Sequence, residues 1–368
     1  MKSILSEHRV DWLALHLVPG LGNMAFKKLL ERFGDPAEVF RATPTDLAQV
    51  GGLRKQVTQG IAQRRFSQDP QSVLRDLEKL GARMVIFSDP TYPEPLREIY
   101  DPPMVLYTKG LDIPGKTTFV AVVGSRNSTP YGVKTSENLA QGLARRGLGI
   151  VSGLARGIDS AAHWGCIEGR GFSVGVLGTG IDVVYPLSNK KLFEVMFEKG
   201  AVITEFPLKT PPEPKHFPIR NRIISGLSRG VIVVEATMKS GSLITASVAL
   251  EQGREVFAVP GSVHSFKSQG CHFLIKQGAK LVENADDVLD EFGMNYAYAA
   301  KKDSYTEPPL PPLEDNEKKV YDLLGDYPVH IDDIVREGKM EPGTASAVLM
   351  RMELKGIVRQ LPGKLFVR

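Results

Sequence analysis

The sequence predicts an α/β protein whose centre is a doubly wound, mostly parallel sheet. Short apolar runs in the middle of the chain each end on glycine, serine or proline, and helical patterns alternate with them. The first 80 residues are helical in pattern, and residues 316–368 predict short helices followed by a hairpin. Because near-continuous apolar strands are typical of parallel sheets covered on both faces, we expect helices on each side of this sheet.

Composition limits the possible classes of protein. The chain has 368 residues, and single cores tend to divide above ~250–300 residues, so two or three domains are expected. A net charge of +4 permits an anionic partner without requiring one. The 2 cysteines lack metal-ligand spacing and favour a reducing compartment. No run approaches the ~18 apolar residues of a membrane span, so we expect a cytoplasmic protein without a membrane partner.

Residues 1–80 predict a helical domain with a distinctive turn. A helix at 12–17 is followed by Pro-Gly-Leu-Gly at 19–22 and by a basic helix at 25–30. This order resembles a helix-hairpin-helix or SAM-like module, in which glycines let backbone N–H groups approach a phosphate. A looser copy of the turn occurs at 47–53. An ordinary pair of helices, with glycines that only close the turn, is the alternative.

Residues 81–292 predict the sheet itself. Strands expected at 84–87 and 104–107 flank a proline-rich turn, and we expect them to extend one edge of the sheet. The buried parallel strands are predicted at 119–123, 149–151, 173–177, 201–205, 230–234 and 255–259. Ligands of such sheets bind beyond the carboxyl ends of the strands. The small-residue loops that follow these strands are therefore predicted to form the site.

The remaining residues predict a linker and a second, smaller domain. Residues 293–315 contain two Pro-Pro pairs in a polar run, which is typical of a linker. Residues 316–368 predict three short helices and a terminal hairpin, an order that resembles a winged helix. Winged helices bind DNA or protein, and the order of elements does not decide between them.

The loops after the strands predict a phosphate-binding surface. Gly124, Ser125 and Arg126 follow one strand, and the segments 152–159 and 240–246 follow others. The sequence has neither a complete Gly-x-Gly-x-x-Gly at 124 nor a P-loop, so open backbone N–H groups at helix starts remain as the anion-binding feature. We expect hydroxyl donors from Ser125, Ser152 and Ser240.

Arg126 is the first candidate cation. A cation next to a helix N-terminus is unfavourable unless an anion joins it, which favours a role in phosphate binding. The alternative is an ion pair with an acid such as Asp159, for which we expect a structural role.

The stretch 215–229 combines cations with an aromatic ring. Ile223, Ile224 and Leu227 share one helical face, whereas Arg222 and Arg229 share the opposite face. Arg220 would fall on the apolar face, so we expect it in an irregular segment before the helix, with Lys215 and Phe217. A cation–aromatic–cation order suits single-stranded nucleic acid, although Phe217 as a core residue is the alternative. The stretch contains no nucleophile with a base, no acid–base pair and no metal cluster. We therefore predict no catalytic residue, metal ligand or cofactor.

The motifs together resemble one known family, DNA-processing protein A (DprA/Smf). The matching segments are VGSR at 123–126, SGLARGID at 152–159, AH at 162–163, LGTGIDVVYP at 177–186, TEFP at 204–207, HFPIRNRIISGLS at 216–228, VVEA at 233–236, SGSLITA at 240–246 and FAVPG at 257–261. They cover most of the central domain. One departure is visible: the family usually has Arg-Gly-Thr-Asn after 260–261, and this chain has Ser-Gln-Gly-Cys-His at 268–272.

The resemblance implies a function and a set of contacts. It implies an extended Rossmann-like core that dimerises, binds single-stranded DNA, interacts with RecA and loads RecA onto incoming strands in natural transformation. By motif match, the resemblance implies a DNA pocket formed by Arg126, Lys215, Phe217, Arg220 and Arg222. With the loop residues, the predicted contact set is Gly124, Ser125, Arg126, Ser152, Gly153, Arg156, Lys215, Phe217, Arg220, Asn221, Arg222, Ser240, Gly241 and Ser242.

Two other functions are weighed against this one. A nucleotide phosphoribohydrolase on a related sheet would show Pro-Gly-Gly-x-Gly-Thr near a catalytic glutamate, whereas residues 239–245 read Lys-Ser-Gly-Ser-Leu-Ile-Thr after Glu235. A sequence-specific regulator of duplex DNA acting through the C-terminal domain would not explain the central motifs. We therefore predict a single-stranded DNA-binding protein that is not an enzyme.

Overall fold

The structure is a computed structural model that describes residues 2–294, 313–325 and 328–368, with side chains from His8 onward. Most of the predicted linker at 293–315 lies outside the described residues. The chain divides into two compact units. One unit extends to Met294 without residues 129–134, and the other contains those residues and the C-terminal segment.

The first unit begins with helices, as predicted. They are α1 (Lys2–His16), α2 (Asn23–Phe33), α3 (Pro36–Val39), α4 (Pro44–Ala48), α5 (Lys55–Ala62) and α6 (Pro70–Lys79). Helices α3, α4 and α6 each begin with proline behind a capping side chain, which comes from Asp35, Thr43 and Asp69. The capping side chain accepts a hydrogen bond from a free backbone N–H of the first turn. Proline lacks an N–H group, so at the first position of the helix it costs no backbone hydrogen bond. Gly20 adopts a φ of 82° in the turn between α1 and α2, where glycine avoids strain.

A 9-stranded sheet follows. Its strands are β1 (Ala82–Ile86), β2 (Val105–Gly110), β3 (Phe119–Val123), β4 (Gly149–Ser152), β5 (Ser173–Val176), β6 (Ala201–Thr204), β7 (Gly230–Val233), β8 (Glu255–Ala258) and β9 (Lys280–Leu281). The strand order is β1-β2-β6-β5-β4-β3-β7-β8-β9, and β3 to β9 are parallel. β1 and β2 extend one edge in antiparallel fashion, which confirms the prediction. β9 was not predicted, because its two exposed residues carry no strand pattern.

Helices cover the sheet on both faces. They are α7 (Glu94–Arg97), α8 (Pro130–Arg145), α9 (Ile158–Glu168), α10 (Lys190–Lys199), α11 (His216–Gly226), α12 (Gly241–Glu251), α13 (Gln269–Lys276) and α14 (Ala285–Glu291), with short 3-10 turns at Leu187–Asn189 and Phe266–Ser268. Every residue of β3, β4, β5, β6 and β7 is buried, which explains their continuous apolar runs.

The N-terminal helices and the sheet share one hydrophobic core. Buried residues of α1 and α2, such as Leu13 and Phe26, belong to the same cluster as Met84 of β1, Tyr107 of β2 and Phe193 of α10. Glu205, which follows β6, also accepts a hydrogen bond of 2.8 Å from the side chain of Asn23. These contacts anchor the helices on the side of the sheet that ends in β1.

The strand order locates the ligand-binding edge. The neighbours of β3 are β4 on one side and β7 on the other, so the connections from β3 and β7 leave the sheet in opposite directions. A crevice opens beyond the carboxyl ends of strands at such a switch point. Residues 124–127 and 235–240 therefore border the same opening.

The second unit has its own core. It contains α15 (Asp315–Leu323), β10 (Val329–His330), α16 (Ile331–Gly338), α17 (Pro342–Leu354), β11 (Arg359–Leu361) and β12 (Leu365–Val367). The three helices and the β11–β12 hairpin were predicted, and β10 adds a third strand to the hairpin. Val320, Ile334, Leu349, Met352 and Phe366 are buried together. No helix in either unit's described part is long and apolar enough to cross a membrane.

Candidate nucleic-acid interface

A polar cleft of about 430 Å³ opens at the switch point. The loop after β3, the loop after β4, helix α11 and the start of α12 form its walls. Most of the predicted contact residues line it, namely Gly124, Ser125, Arg126, Phe217, Arg220, Asn221, Ser240, Gly241 and Ser242. Topology therefore brings together segments that are more than a hundred residues apart in the chain.

Arg126 lies at the mouth of this cleft. Its guanidinium carbon is 4.6 Å from the centroid of the Phe217 ring, a cation–π distance that orients the charge without neutralising it. Arg126 forms no ion pair with a described residue. The loop can turn here because Gly124 packs against α9: a Cβ atom at Gly124 would lie 2.7 Å from Ile158 Cγ1. Arg126 is thus an exposed cation held over an aromatic ring.

Arg220 forms the floor of the cleft and is only 4% exposed. Its Nη2 donates to the carbonyl oxygen of Gly153 at 3.0 Å, and Nη1 donates to Asn221 Oδ1 at 3.3 Å. Its Nε is buried without a hydrogen-bond partner among the described residues. Burial lowers the pKa of Arg220 to about 10, while the charge of Asp159 opposes this shift. The guanidinium therefore remains charged at neutral pH.

The predicted position of Arg220 in an irregular segment was wrong. Helix α11 begins at His216 and includes both Phe217 and Arg220. Helical periodicity placed Arg220 on the apolar face, and the structure confirms that face by burying Ile223 and Ile224. An arginine is tolerated there because a backbone carbonyl, an amide and a carboxylate compensate for its desolvation.

Asp159 supplies that carboxylate in the first turn of α9 and is 6% exposed. Its Oδ2 accepts hydrogen bonds from the backbone N–H groups of Gly153 at 3.1 Å and Ala155 at 3.4 Å. Burial raises the pKa of Asp159, and the charge of Arg220 acts in the opposite direction. Asp159 therefore shapes the loop after β4 and compensates the buried arginine.

Helix α12 begins at the far wall of the cleft. Ser240 caps it: its Oγ accepts from the backbone N–H of Ser242 at 3.3 Å and lies 2.7 Å from Ser242 Oγ. A Cβ atom added at Gly241 would meet no atom within 4 Å, so the backbone there is open to a ligand. Helix N-termini of this kind attract anions.

A smaller recess of about 40 Å³ adjoins the cleft. Arg126 and Phe217 line both spaces, and Gly153, Arg156 and Tyr185 line the recess. Phe217 is half-buried between them, with one side packed on Gly178. The sequence-based prediction did not include Tyr185, although this residue lies within the quoted segment 177–186. Its aromatic side chain, immediately before Pro186, is the signal that could have identified it.

Three predicted contact residues do not line either space. Ser152 is buried in β4, and its hydroxyl donates to the carbonyl oxygen of Val122 at 2.6 Å, so the prediction of a free donor there was wrong. Lys215 is exposed beside the cleft and pairs with Glu213 at 2.7 Å. Arg222 forms ion pairs with Glu205 and Asp101, and its side chain is 12% exposed.

The ionisable groups in the cleft are mainly basic. Among its described lining residues, Asp159 is the sole carboxylate, and there is no histidine or cysteine. No group of three or more His, Cys, Asp or Glu side chains that could hold a metal occurs in the described part of the chain. The segment 268–272, where the sequence departs from the expected pattern, lies in the 3-10 turn and α13 and does not line the cleft.

The sheet and its cleft place the chain in the class of doubly wound α/β proteins, with helix starts and arginines at the switch point. The chain belongs to the DNA recombination-mediator protein A family, whose sequence profile matches residues 83–293. Residues 305–364 match the DprA winged helix domain.

Individual relatives agree with this assignment. Protein Smf of Synechocystis is 34% identical over 97% of this chain and 98% of that protein. The X-ray structure of DNA processing protein A from Streptococcus pneumoniae matches with a TM-score of 0.69 and 41% identity, over 76% of this chain and 97% of that one. DNA processing protein A from Helicobacter pylori, described with a single-stranded DNA binding mode, matches with a TM-score of 0.52 and 28% identity, over 58% and 97% of the two chains.

Proposed function

We propose that this protein binds single-stranded DNA in the cleft and acts as a recombination mediator. The observation that carries the proposal is the pairing of the exposed Arg126 with the half-buried Phe217 at 4.6 Å. A cation for the phosphate and a ring face for a base are the two elements that single-strand binding sites combine. The Helicobacter pylori relative, whose reported structure concerns single-stranded DNA binding, supports the same ligand.

The cleft offers distinct groups to the backbone and the bases of a strand. The exposed Arg126 turns from the Phe217 ring to bind a phosphate, which opens the ring face to a base. The buried charge of Arg220 supplies a positive potential from below. The open backbone at Gly241 approaches a second phosphate. The proposed contact set is Gly124, Ser125, Arg126, Gly153, Arg156, Phe217, Arg220, Asn221, Ser240, Gly241 and Ser242, with Lys215 at the rim.

The cleft favours binding over catalysis. Asp159, the carboxylate that lines it, is occupied by two backbone N–H groups and faces Arg220. A general acid or base needs a group within reach of substrate that can exchange its proton. We therefore propose a protein without enzymatic activity, and no structural observation favours the phosphoribohydrolase alternative.

The mediator role rests on family membership. A mediator delivers a strand to a recombinase, and we propose that this protein protects incoming single strands and loads RecA onto them in natural transformation. We further propose that it acts in the cytoplasm as a homodimer through the Rossmann-like unit. The description of the family as recombination mediators supports the mediator role.

A titration with DNA tests the proposed ligand. Fluorescence anisotropy with labelled single-stranded and double-stranded oligonucleotides of equal length should show tighter binding of the single strand, because only separated bases can reach Phe217. Equal or tighter binding of the duplex would contradict the proposal. The same titration at several salt concentrations measures how many phosphates are bound.

A further inference from the structure

Tyr185 places a second aromatic ring next to Phe217. The two ring centroids are 5.9 Å apart, with an angle of 41° between the planes. Tyr185 is 40% exposed, and its ring borders the recess, whereas Phe217 borders both the recess and the cleft. Phe217 therefore separates the cleft from the recess, and Tyr185 lies on the recess side of it.

Positive charge accompanies the second ring. Arg126 and Arg156 both line the recess, and both are exposed. Among the described residues, Arg156 forms no ion pair, so its charge is available to a phosphate. The alternation of cation and ring that marks the cleft thus continues into the recess.

The segment that carries Tyr185 is held in place. The side-chain amide nitrogen of Asn189 lies 2.9 Å from the carbonyl oxygen of Leu154, 3.1 Å from that of Ala155 and 2.9 Å from Ser160 Oγ. These hydrogen bonds join the segment after β5 to the loop after β4, on which Arg156 lies. A ring and a cation on tethered segments lose little conformational entropy when a ligand binds.

We propose that Tyr185, at the edge of the recess, forms a second base-binding subsite, in which its exposed ring stacks on the base next to the one at Phe217 and Arg156 binds a phosphate. This inference rests on the proposed single-strand binding. The 5.9 Å between the rings exceeds the ~3.4 Å advance per nucleotide along a duplex strand. Because the ring planes are also tilted by 41°, bases stacked on the two rings are not stacked on each other as in a duplex.

Affinity measurements on full-length protein test the subsite. Tyr185→Leu should weaken binding of a short oligothymidylate by about 5- to 150-fold, the range expected for loss of one stacked base. Tyr185→Phe keeps the ring and should bind within about twofold of the wild type. Tyr100→Leu is the matched control, because Tyr100 is 83% exposed and lines neither space. Circular dichroism and thermal unfolding check that each variant is folded.

Oligonucleotides with abasic sites separate stacking from other effects. With the wild type, an abasic site moved along the oligothymidylate should weaken binding at two neighbouring positions, one for each ring. With Tyr185→Leu, sensitivity at one of these positions should disappear. Wild-type affinity of Tyr185→Leu, or an equal loss on intact and fully abasic strands, would overturn the inference.

The outcomes also distinguish this inference from the proposed function. If the wild type binds no single strand, both are wrong. If the wild type binds, Arg126→Ala weakens binding and Tyr185→Leu does not, the proposed function stands and the second subsite is wrong.

Discussion

Arg220 reaches across the cleft and donates a hydrogen bond of 3.0 Å to the carbonyl oxygen of Gly153. This bond joins helix α11 to the loop after β4, two segments that approach each other only because β4 and β7 flank β3. The approach is close: a Cβ atom at Gly153 would lie 2.0 Å from Arg220 Nη1. The floor of the cleft therefore requires glycine at 153 and a cation at 220 that is hydrogen-bonded to this loop.

Gly153→Ala should disturb both stability and binding. The added methyl group must displace the Arg220 guanidinium, and overpacking of this kind costs about 1–3 kcal/mol in the free energy of unfolding. We expect single-strand affinity to fall as well, because the guanidinium moves. Gly115→Ala is the matched control, since its Cβ would meet no atom within 4 Å. Chemical denaturation and anisotropy measure the two effects, and wild-type stability of Gly153→Ala would contradict the packing argument.

Arg126→Ala should weaken single-strand binding with little effect on folding. Arg126 is exposed, so its removal leaves no buried group unpaired. Loss of one phosphate contact should lower the slope of log affinity against log salt by about 0.7 for a single strand. Arg145→Ala is the control, because this exposed arginine is the last residue of α8. The chain there has returned to the amino-terminal ends of the parallel strands, away from the cleft. An unchanged slope for Arg126→Ala would remove Arg126 from the contact set.

Phe217→Leu distinguishes a stacking ring from a core residue. If a base stacks on Phe217, affinity should fall by about 1–3 kcal/mol while stability changes less. Phe217→Tyr keeps the ring face and serves as the comparison. Loss of stability with unchanged affinity would show that Phe217 only packs against Gly178 and its neighbours.

Arg222→Ala tests the ion pair next to the cleft. Glu205 is 6% exposed, and removal of the Arg222 guanidinium leaves this buried carboxylate without its partner. Breaking such a pair costs about 3–5 kcal/mol in the free energy of unfolding. Arg83→Ala is the control, because its ion pair with Asp112 is exposed and such pairs contribute about 0–1 kcal/mol.

The double variant Arg222→Ala with Glu205→Gln should recover part of the lost stability, because it removes the unpaired charge. Single-strand affinity of the folded Arg222→Ala protein should match the wild type, since Arg222 does not line the cleft. A folded variant that binds about tenfold more weakly would place Arg222 in contact with DNA.

The protein should lose stability at acidic pH because two of its histidines are buried. Burial lowers the pKa of His163 from 6.5 to about 3, and the charge of Arg220 adds to this effect. Burial also lowers the pKa of His16, to about 4. As the pH falls below 6.5, the unfolded chain binds protons that the folded protein does not bind. The contribution of each histidine to the free energy of unfolding therefore falls with decreasing pH. The fall ends when the pH reaches the pKa of that histidine in the folded protein.

His163→Asn should reduce this dependence. Between the pKa of His163 in the folded protein and 6.5, one proton taken up on unfolding gives a slope of about 1.4 kcal/mol per pH unit in the free energy of unfolding. The slope measured for the variant should be smaller by about this amount. Asparagine can still reach Ser173, whose Oγ lies 2.7 Å from His163 Nδ1. Denaturation between pH 4 and pH 7 measures the slope, with His264→Asn as a control at an exposed position. Equal slopes for the wild type and His163→Asn would contradict the burial argument.

Local patterns were sufficient for the buried strands of the large sheet and for most of the cleft. Buried parallel strands have continuous apolar runs, and ligand loops follow their carboxyl ends, so Gly124, Arg126 and Gly241 were predicted without coordinates. Tyr185 was missed because a single exposed aromatic residue carries no periodic signal. Its importance depends on a neighbour, Phe217, that lies far away in the sequence.

The sequence by itself determined the class of fold, the edge of the sheet that holds the site and the family, because each depends on short segments read in order. Only the tertiary structure decided which charges are available. Arg126 remains exposed, Arg220 is buried above Gly153, and Arg222 is neutralised by Glu205. All three are arginines near a predicted helix start, and they differ in burial and in the acceptors that the fold brings to them. Burial and pairing set the electrostatic role of a side chain, and both are properties of the folded chain.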